Sequence, residues 1–283
     1  MDLNKVLDGT GLKKLLEKID SIYARKKDIN KKPEPVESEN KKSIAPFQYA
    51  FSDCTNIPNN DDCLYIGKGA FYNCDKITDI ANHNVLYANS YAFQENRNLK
   101  NVSLLNCKYI GNKAFYGCNN LTFVRLPNCI EVGDDAFSYC DHLSSVDLKN
   151  VKTIGKRAFS YYMRFNWHGG FKRYGEYYIN VDNFNLDFPC CETIGAEAFK
   201  YCHLTSIHIP NCQFIGDFAF ERCILLKEIV VNENCIFSND TFSHMEPDPS
   251  SVLIHEYHCT IYNQNRSKIY DKDAKKWVQN QSQ

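Results

Sequence analysis

The chain has 283 residues, 43% hydrophobic and 24% charged, which is long and apolar enough to bury a sizeable core. Its 33 Lys and Arg against 34 Asp and Glu leave a net charge of −1, which excludes a global field for nucleic acid or an anionic membrane surface. With 13 Gly and 9 Pro it is neither collagenous nor low-complexity, so the anomaly is 14 Cys beside 13% aromatics.

In chain order, Met1 to Lys14 lacks the unbroken apolar run of a signal peptide. No stretch reaches the roughly 18 apolar residues that span a bilayer, so membrane insertion is not expected and the location reads as cytoplasmic or virion-associated. Leu12, Leu15, Leu16, Ile19, Ile22 and Tyr23 follow i, i+3, i+4, i+7 spacing with lysines between them, which predicts an amphipathic helix within residues 1–30. Pro33, Pro35 and dense charge mark residues 31–44 as a linker. Across such a linker the helix is free to dock elsewhere or to self-associate through its apolar stripe.

Residues 45–262 are dominated by a repeat. Ala-Phe recurs at Ala50, Ala70, Ala92, Ala114, Ala136, Ala158, Ala198 and Ala219, with Thr241-Phe242 as a degenerate copy. Successive spacings are 20, 22, 22, 22, 22, 40, 21 and 22. The unit is clearest from Ile110 to Val132, where Leu121, Val124 and Leu126 alternate as one side of a short strand. Each unit predicts one coil: a strand, a turn near Asn106 or Asn128, an Ile-Gly step, and a short helical turn carrying Ala-Phe. No coil buries its apolar side alone, so coils must stack. Ala suits close packing between coils, and Phe fills the interior. Gly67, Gly111, Gly133, Gly155, Gly195 and Gly216 suit a step with unusual dihedrals. The expected fold class is an α/β repeat solenoid: a leucine-rich repeat stack of about nine coils of 20–22 residues with a parallel sheet on one face, plus the N-terminal helix.

The 40-residue spacing exceeds the period by 18, which places an insertion at about 163–180. It holds Phe165, Trp167, Phe171, Tyr174, Tyr177 and Tyr178 with Arg164, Lys172 and Arg173, and Gly169-Gly170 suits a hairpin turn. After a last strand or two within Val252 to Ile261, residues 263–283 read as a C-terminal cap and tail.

The pattern Ile-Gly-x-x-Ala-Phe-x-x-Cys-x-x-Leu-x-x-Val-x-Leu-Pro-x-Cys resembles the BspA-type leucine-rich repeats of bacterial surface proteins, anaerobic protozoa and phages. The resemblance covers residues 45–262 and implies a solenoid binding module, often adhesive, with no catalytic residues to carry over. Residues 7–29, with Leu7-Asp8-Gly9-Thr10-Gly11-Leu12, Leu15, Ile19 and Tyr23-Ala24-Arg25-Lys26, look like the opening segment of phage and prophage tail-fibre-like proteins.

The chemistry is sparse. One cysteine ladder follows Ala-Phe (Cys54, Cys74, Cys118, Cys140, Cys202, Cys223), and another precedes the Ala by seven residues (Cys63, Cys107, Cys129, Cys191, Cys212). Val85 and Val151 take the same place in the second ladder, so these thiols read as small buried hydrophobes, with neither metal nor cofactor expected. His255-Glu256-Tyr257-His258 lacks one residue of the metalloprotease spacing and falls on a predicted strand. No catalytic arrangement appears, so no enzyme is expected.

A binding face follows from strand alternation. If Val124 and its equivalents point inward, one outward row is Asp79, Asn101, Phe123, Ser145, Asn185, Ser206 and Glu228. The second is Ala81, Ser103, Arg125, Asp147, Asp187, His208 and Val230. Inward rows hold constant while outward rows vary. Phe123, Arg125, Asp147, Asp187 and His208, together with Phe165, Trp167, Phe171, Tyr174 and Tyr177 of the insertion, are the candidate binding residues, since aromatic and Arg side chains supply most interface hot spots. The insertion also has a plain alternative, in which its aromatics cover an apolar flank of the solenoid. The expected partner is a protein or cell-surface glycan. The function is an adhesion or interaction module, on a phage or prophage surface appendage or, alternatively, an intracellular scaffold of an anaerobic protist or bacterium.

Overall fold

The computed structural model describes residues 43–44, 64–161, 184–243, 259–273 and 275–280. The chain divides into two units, Met1–Lys41 and Lys42–Gln283. The first, with the predicted helix, lies outside the described residues. So do residues 162–183, which hold the insertion, and the His255 to His258 segment.

The second unit is a parallel β-solenoid with two strands per coil. The first set falls at the Ile-Gly step or, where another residue such as Asn89 or Ser238 stands in place of the glycine, at its equivalent; it begins with Ser43–Ile44 and Tyr65–Ile66, ends with Ile236–Phe237, and forms one nine-stranded parallel sheet. The eight strands from Tyr65–Ile66 onward bound seven turns. The second set takes the alternating segments: Asp79–Ala81, Asn101–Ser103, Phe123–Arg125 and Ser145–Asp147 form a four-stranded sheet. Asn185–Asp187, Ser206–Ile209, Glu228–Val231 and Thr260–Asn263 begin a further sheet, which Lys268–Asp271 and Lys276–Gln279 extend as antiparallel strands to six.

Two expectations are corrected. The sheet is not confined to one face, because the segment ending at the Ile-Gly step, or at its equivalent such as Ala88-Asn89, is itself a strand. And no helix occurs among the described residues; the Ala-Phe segment is a run of turns. The reason lies in where its amides go. Phe71 N donates to Ala92 O at 2.8 Å, Phe93 N to Ala114 O at 2.7 Å and Phe115 N to Ala136 O at 2.8 Å. Every second amide is thus bonded to the next coil, while those between, such as Ala92 N to Asn89 O and Gln94 N to Tyr91 O, close i to i−3 turns, so no i to i−4 ladder forms. The turn is set by left-handed residues just before Ala, including Lys113 (φ 56°), Asp135 (φ 55°), Arg157 (φ 52°) and Glu197 (φ 57°).

The glycines have a different cause from the one the sequence suggests. Gly155 and Gly195 do not have positive φ; a Cβ on Gly155 would lie 2.6 Å from the Gly133 carbonyl carbon, and one on Gly195 2.6 Å from Lys156 N. Close approach of successive coils, not dihedral freedom, excludes a side chain.

Inside, the Phe side chains stack in register. Phe71, Phe93, Phe115 and Phe137 are fully buried, with centroids 5.0 to 5.2 Å apart and nearly parallel rings. Phe237, Phe242, Tyr270 and Trp277 meet at steep angles and end the stack, which gives the C-terminal cap its physical role. Corner turns are tied by side-chain amides. Asn106, Asn128, Asn150 and Asn211 each donate to a carbonyl one coil back, at 2.6 to 2.9 Å. The thiols sit where the ladders predict. Cys118 and Cys140 Sγ donate to the Phe93 and Phe115 carbonyls, and burial pushes the Cys107 and Cys202 thiols up to about 12. Cys190 differs: it takes the corner Asn position and is exposed, while the adjacent Cys191 is buried.

Candidate functional site

The strand face is where the alternation places it. In Asp79–Ala81 and Asn185–Asp187 the middle residue is buried and its neighbours are exposed. In Phe123–Arg125, Val124 is buried, Phe123 half-buried and Arg125 exposed. The outward rows therefore reach solvent through most of their length. The exception is Val230, which is 3% exposed. The turn after Thr260–Asn263 folds back onto that rung: Arg266 holds Glu228 through two bonds of 2.7 Å and lies 5.2 Å from the Tyr262 ring centre, and Gln264 donates to the Pro210 carbonyl. The cap thus covers the last part of the face.

The predicted residues form two pairs on either side of a break. Arg125 Nε and Asp147 Oδ2, on adjacent rungs, are 3.9 Å apart. Asp187 Oδ1 and His208 Nδ1, also on adjacent rungs, are 2.8 Å apart. The Asp187–His208 pair is exposed and contributes little stability on its own, whereas Asp147 is half-buried and its Oδ1 has no hydrogen-bond partner among the described residues. Between them the ladder is interrupted, because Ser145–Asp147 and Asn185–Asp187 are not hydrogen-bonded. Phe123 lies one rung before Ser145, beside the first pair. Phe165, Trp167, Phe171, Tyr174 and Tyr177 lie outside the described residues.

At the break a cleft opens among Phe137, Cys140, Leu143, Phe159, Phe184 and Cys202, rimmed by Asp141, Tyr161 and His203. Burial holds the His203 imidazole below its ordinary value. Leu148, on this edge, shows what the break costs. Leu104 N and Leu126 N donate to the carbonyls of Arg125 and Asp147 on the next rung, whereas the equivalent Leu148 N has no such bond to Asp187.

Sequence reasoning singled out neither this cleft nor two further features. Asp79 accepts a 2.6 Å bond from Asn101 Nδ2 and another from the Thr78 hydroxyl, and these hold its carboxyl below the usual range. Tyr65, Tyr87 and Tyr109 stack on the outside of the nine-stranded sheet, with centroids 4.8 and 5.0 Å apart. The signal for the tyrosines was present, a Tyr five residues before three successive Ala-Phe steps. Among the described residues no group of three or more His, Cys, Asp or Glu side chains is placed to hold a metal ion, and no helix is long and apolar enough to cross a membrane.

A stack of coils with a repeating apolar interior and an open strand face defines the class: a leucine-rich-repeat solenoid. Residues 42–166 and 176–263 match the BspA type leucine rich repeat region in six copies, and the chain belongs to that family. Its structure is similar to a leucine-rich repeat protein of T. pallidum, TpLRR, at 25% identity and a TM-score of 0.45, over 58% of this chain and 73% of that one. A leucine-rich repeat protein from Bacteroides ovatus is similar at 20% identity and a TM-score of 0.44, over 70% and 56% of the two chains. A leucine rich cell surface protein from Faecalibacterium prausnitzii follows at 20% and 0.34, over 62% and 60%. No curated protein matches the chain.

Proposed function

We propose that the chain is a non-enzymatic adhesion module that presents its strand face to a protein or cell-surface glycan. One observation carries this reading. Seven turns keep the same Ala, Phe and aliphatic side chains inside, while the two outward positions of each strand change from rung to rung. Packing accounts for the constant rows; recognition accounts for the varied, exposed ones, with Arg125, Asp147, Asp187 and His208 at the centre and Phe123 beside them. That Tyr161 and Phe184, the described residues flanking the insertion, lie next to the break in that face supports counting the insertion at 163–180 in the same patch.

The test compares the intact chain with an Arg125→Ala, Asp187→Ala, His208→Ala triple variant and with a chain shortened through 163–180. Immobilised chains are exposed to purified surface proteins and to a glycan array. A ligand held by the intact chain and lost by the triple variant is the expected result; equal capture by the triple variant overturns the reading. Loss on shortening, with unchanged melting, assigns the aromatics to recognition; lowered melting with retained ligand makes them a cover. The likeness of residues 7–29 to tail-fibre-like openings supports display on a phage or prophage appendage, with residues 1–30 self-associating. Tail genes alongside would support that placement, and an isolated locus the intracellular scaffold. Sedimentation with and without residues 1–30 reads the association directly.

A further inference from the structure

The strand face is uneven along its first three rungs. In Asp79–Ala81 and Asn101–Ser103 the second outward side chain is Ala81 or Ser103, so the surface there is low. In the next rung both outward side chains are bulky, and Phe123 and Arg125 rise as a step at the end of that floor. Along one side of the floor run Asp79 and Asn101, joined by the 2.6 Å amide-to-carboxylate bond. Both are exposed, yet each is held by the other, and Thr78 fixes Asp79 from a second direction. A carboxylate has about four acceptor sites and an amide two donors and two acceptors, so capacity remains on both after these bonds.

Planar polar groups fixed side by side, with a half-buried aromatic ring at the end of the row, suit a ligand with neighbouring hydroxyls and an apolar C–H face. The spacing fits: rungs of a parallel sheet stand about 4.8 Å apart, close to the width of a six-membered sugar ring. An added peptide strand fits poorly: among the described residues it could pair only with Asp79–Ala81, the end strand of the four-stranded sheet, and Asn101–Ser103, already hydrogen-bonded on each side, would separate it from Phe123. A strongly charged partner also fits poorly, since Asp79 is the one carboxylate among these six outward residues and Arg125 already leans toward Asp147.

We propose that Asp79, Asn101 and Phe123 form a saccharide subsite, in which the carboxylate and amide take neighbouring hydroxyls and Phe123 stacks against the ring's apolar face. Ser103 lies within the same floor as a further hydroxyl partner. This rests on the adhesion reading above, and narrows its ligand to one class at one end of the face.

The experiment is a glycan-array screen of the full chain, followed by calorimetric titration with the best neutral and the best acidic saccharide. Asn101→Ala and Phe123→Ala are each expected to weaken binding by at least about tenfold with unchanged melting. Thr153→Val, on the nine-stranded sheet, is expected to bind as the native chain does. If Phe123→Ala lowers the melting temperature, Phe123→Leu decides, because it keeps the bulk and removes the aromatic face. An array with no bound saccharide, or affinity that survives both Asn101→Ala and the deciding Phe123 variant, overturns the subsite. A silent array beside a protein ligand lost by the Arg125, Asp187 and His208 triple variant overturns the subsite alone; silence in both overturns the adhesion reading too.

Discussion

The two strand sets of this solenoid differ between the coils that flank residues 162–183. On the Ile-Gly side the ladder runs through: Thr153 pairs with Thr193, Ile154 with Ile194, and Phe159 stacks on Phe199 at 5.5 Å. On the other side Ser145–Asp147 and Asn185–Asp187 stand unpaired, and a cleft opens behind them. The difference shows which part of the coil carries stacking. The arc of Gly, Ala and Phe allows no spare residue, because its backbones touch and its amides bond from coil to coil. The strand arc tolerates an interruption: its ladder stops at Ser145–Asp147 and starts again at Asn185–Asp187.

High pH is the largest expected challenge and should erase the distinction, because buried thiols lie beneath both arcs. Burial raises Cys107, Cys202 and Cys259 to about 12, and also raises Cys118 and Cys223. Their stabilisation is complete below the ordinary thiol value near 9 and is lost as pH rises toward the folded values. Each such thiol weakens folding by about 1.4 kcal/mol per pH unit in that window. Thermal melts from pH 8 to pH 11 should fall steeply above 9, and Cys107→Val, which copies Val85 and Val151, should soften the fall.

Gly195→Ala strikes the continuous arc beside the insertion. The new Cβ meets the Lys156 and Gly155 backbone, so a loss of about 3 kcal/mol is expected in urea unfolding. An equal substitution in the strand arc, Ser145→Ala, should cost under about 0.5 kcal/mol. Similar losses at the two sites would break the comparison.

Asn96→Cys is a smaller and opposite change. Asn96 is 0% exposed and stands in the Cys74, Cys118, Cys140 column; its amide reaches the Phe71 carbonyl at 2.7 Å, but Oδ1 has no partner. A thiol makes the equivalent bond at Cys118, so Asn96→Cys should stabilise by about 1 kcal/mol, read as a raised midpoint in the same urea series. The smallest expected effect isolates the interrupted side. His203 is held neutral by burial, so its stabilisation is present above about 6.5 and declines as pH falls below it. His203→Asn should flatten the melting temperature between pH 7 and pH 5.

Much of this was legible in the residues themselves. The 22-residue period located the coils, and the alternation around Val124 correctly put Phe123 and Arg125 outward. Two things were hidden because they depend on contacts between coils, not within them. The Ala-Phe segment has a composition compatible with a helical turn; only the next coil's carbonyls draw its amides outward. The strand break likewise leaves no mark in the residues of Ser145–Asp147 or Asn185–Asp187, which alternate as the other rungs do, although in the structure Val146 is left half-buried. Arg125, Asp147, Asp187 and His208 were found as outward residues, but their separation into two pairs depends on that break.

One continuous ladder alongside one divided ladder also has a mechanical meaning. A rod with an intact spine and a cut opposite it bends at the cut. Here Thr153–Ile154 and Thr193–Ile194 form the spine, and the unbonded gap from Asp147 to Asn185 is the cut. Flexing about that line changes the distance between the Arg125–Asp147 and Asp187–His208 pairs without breaking a rung.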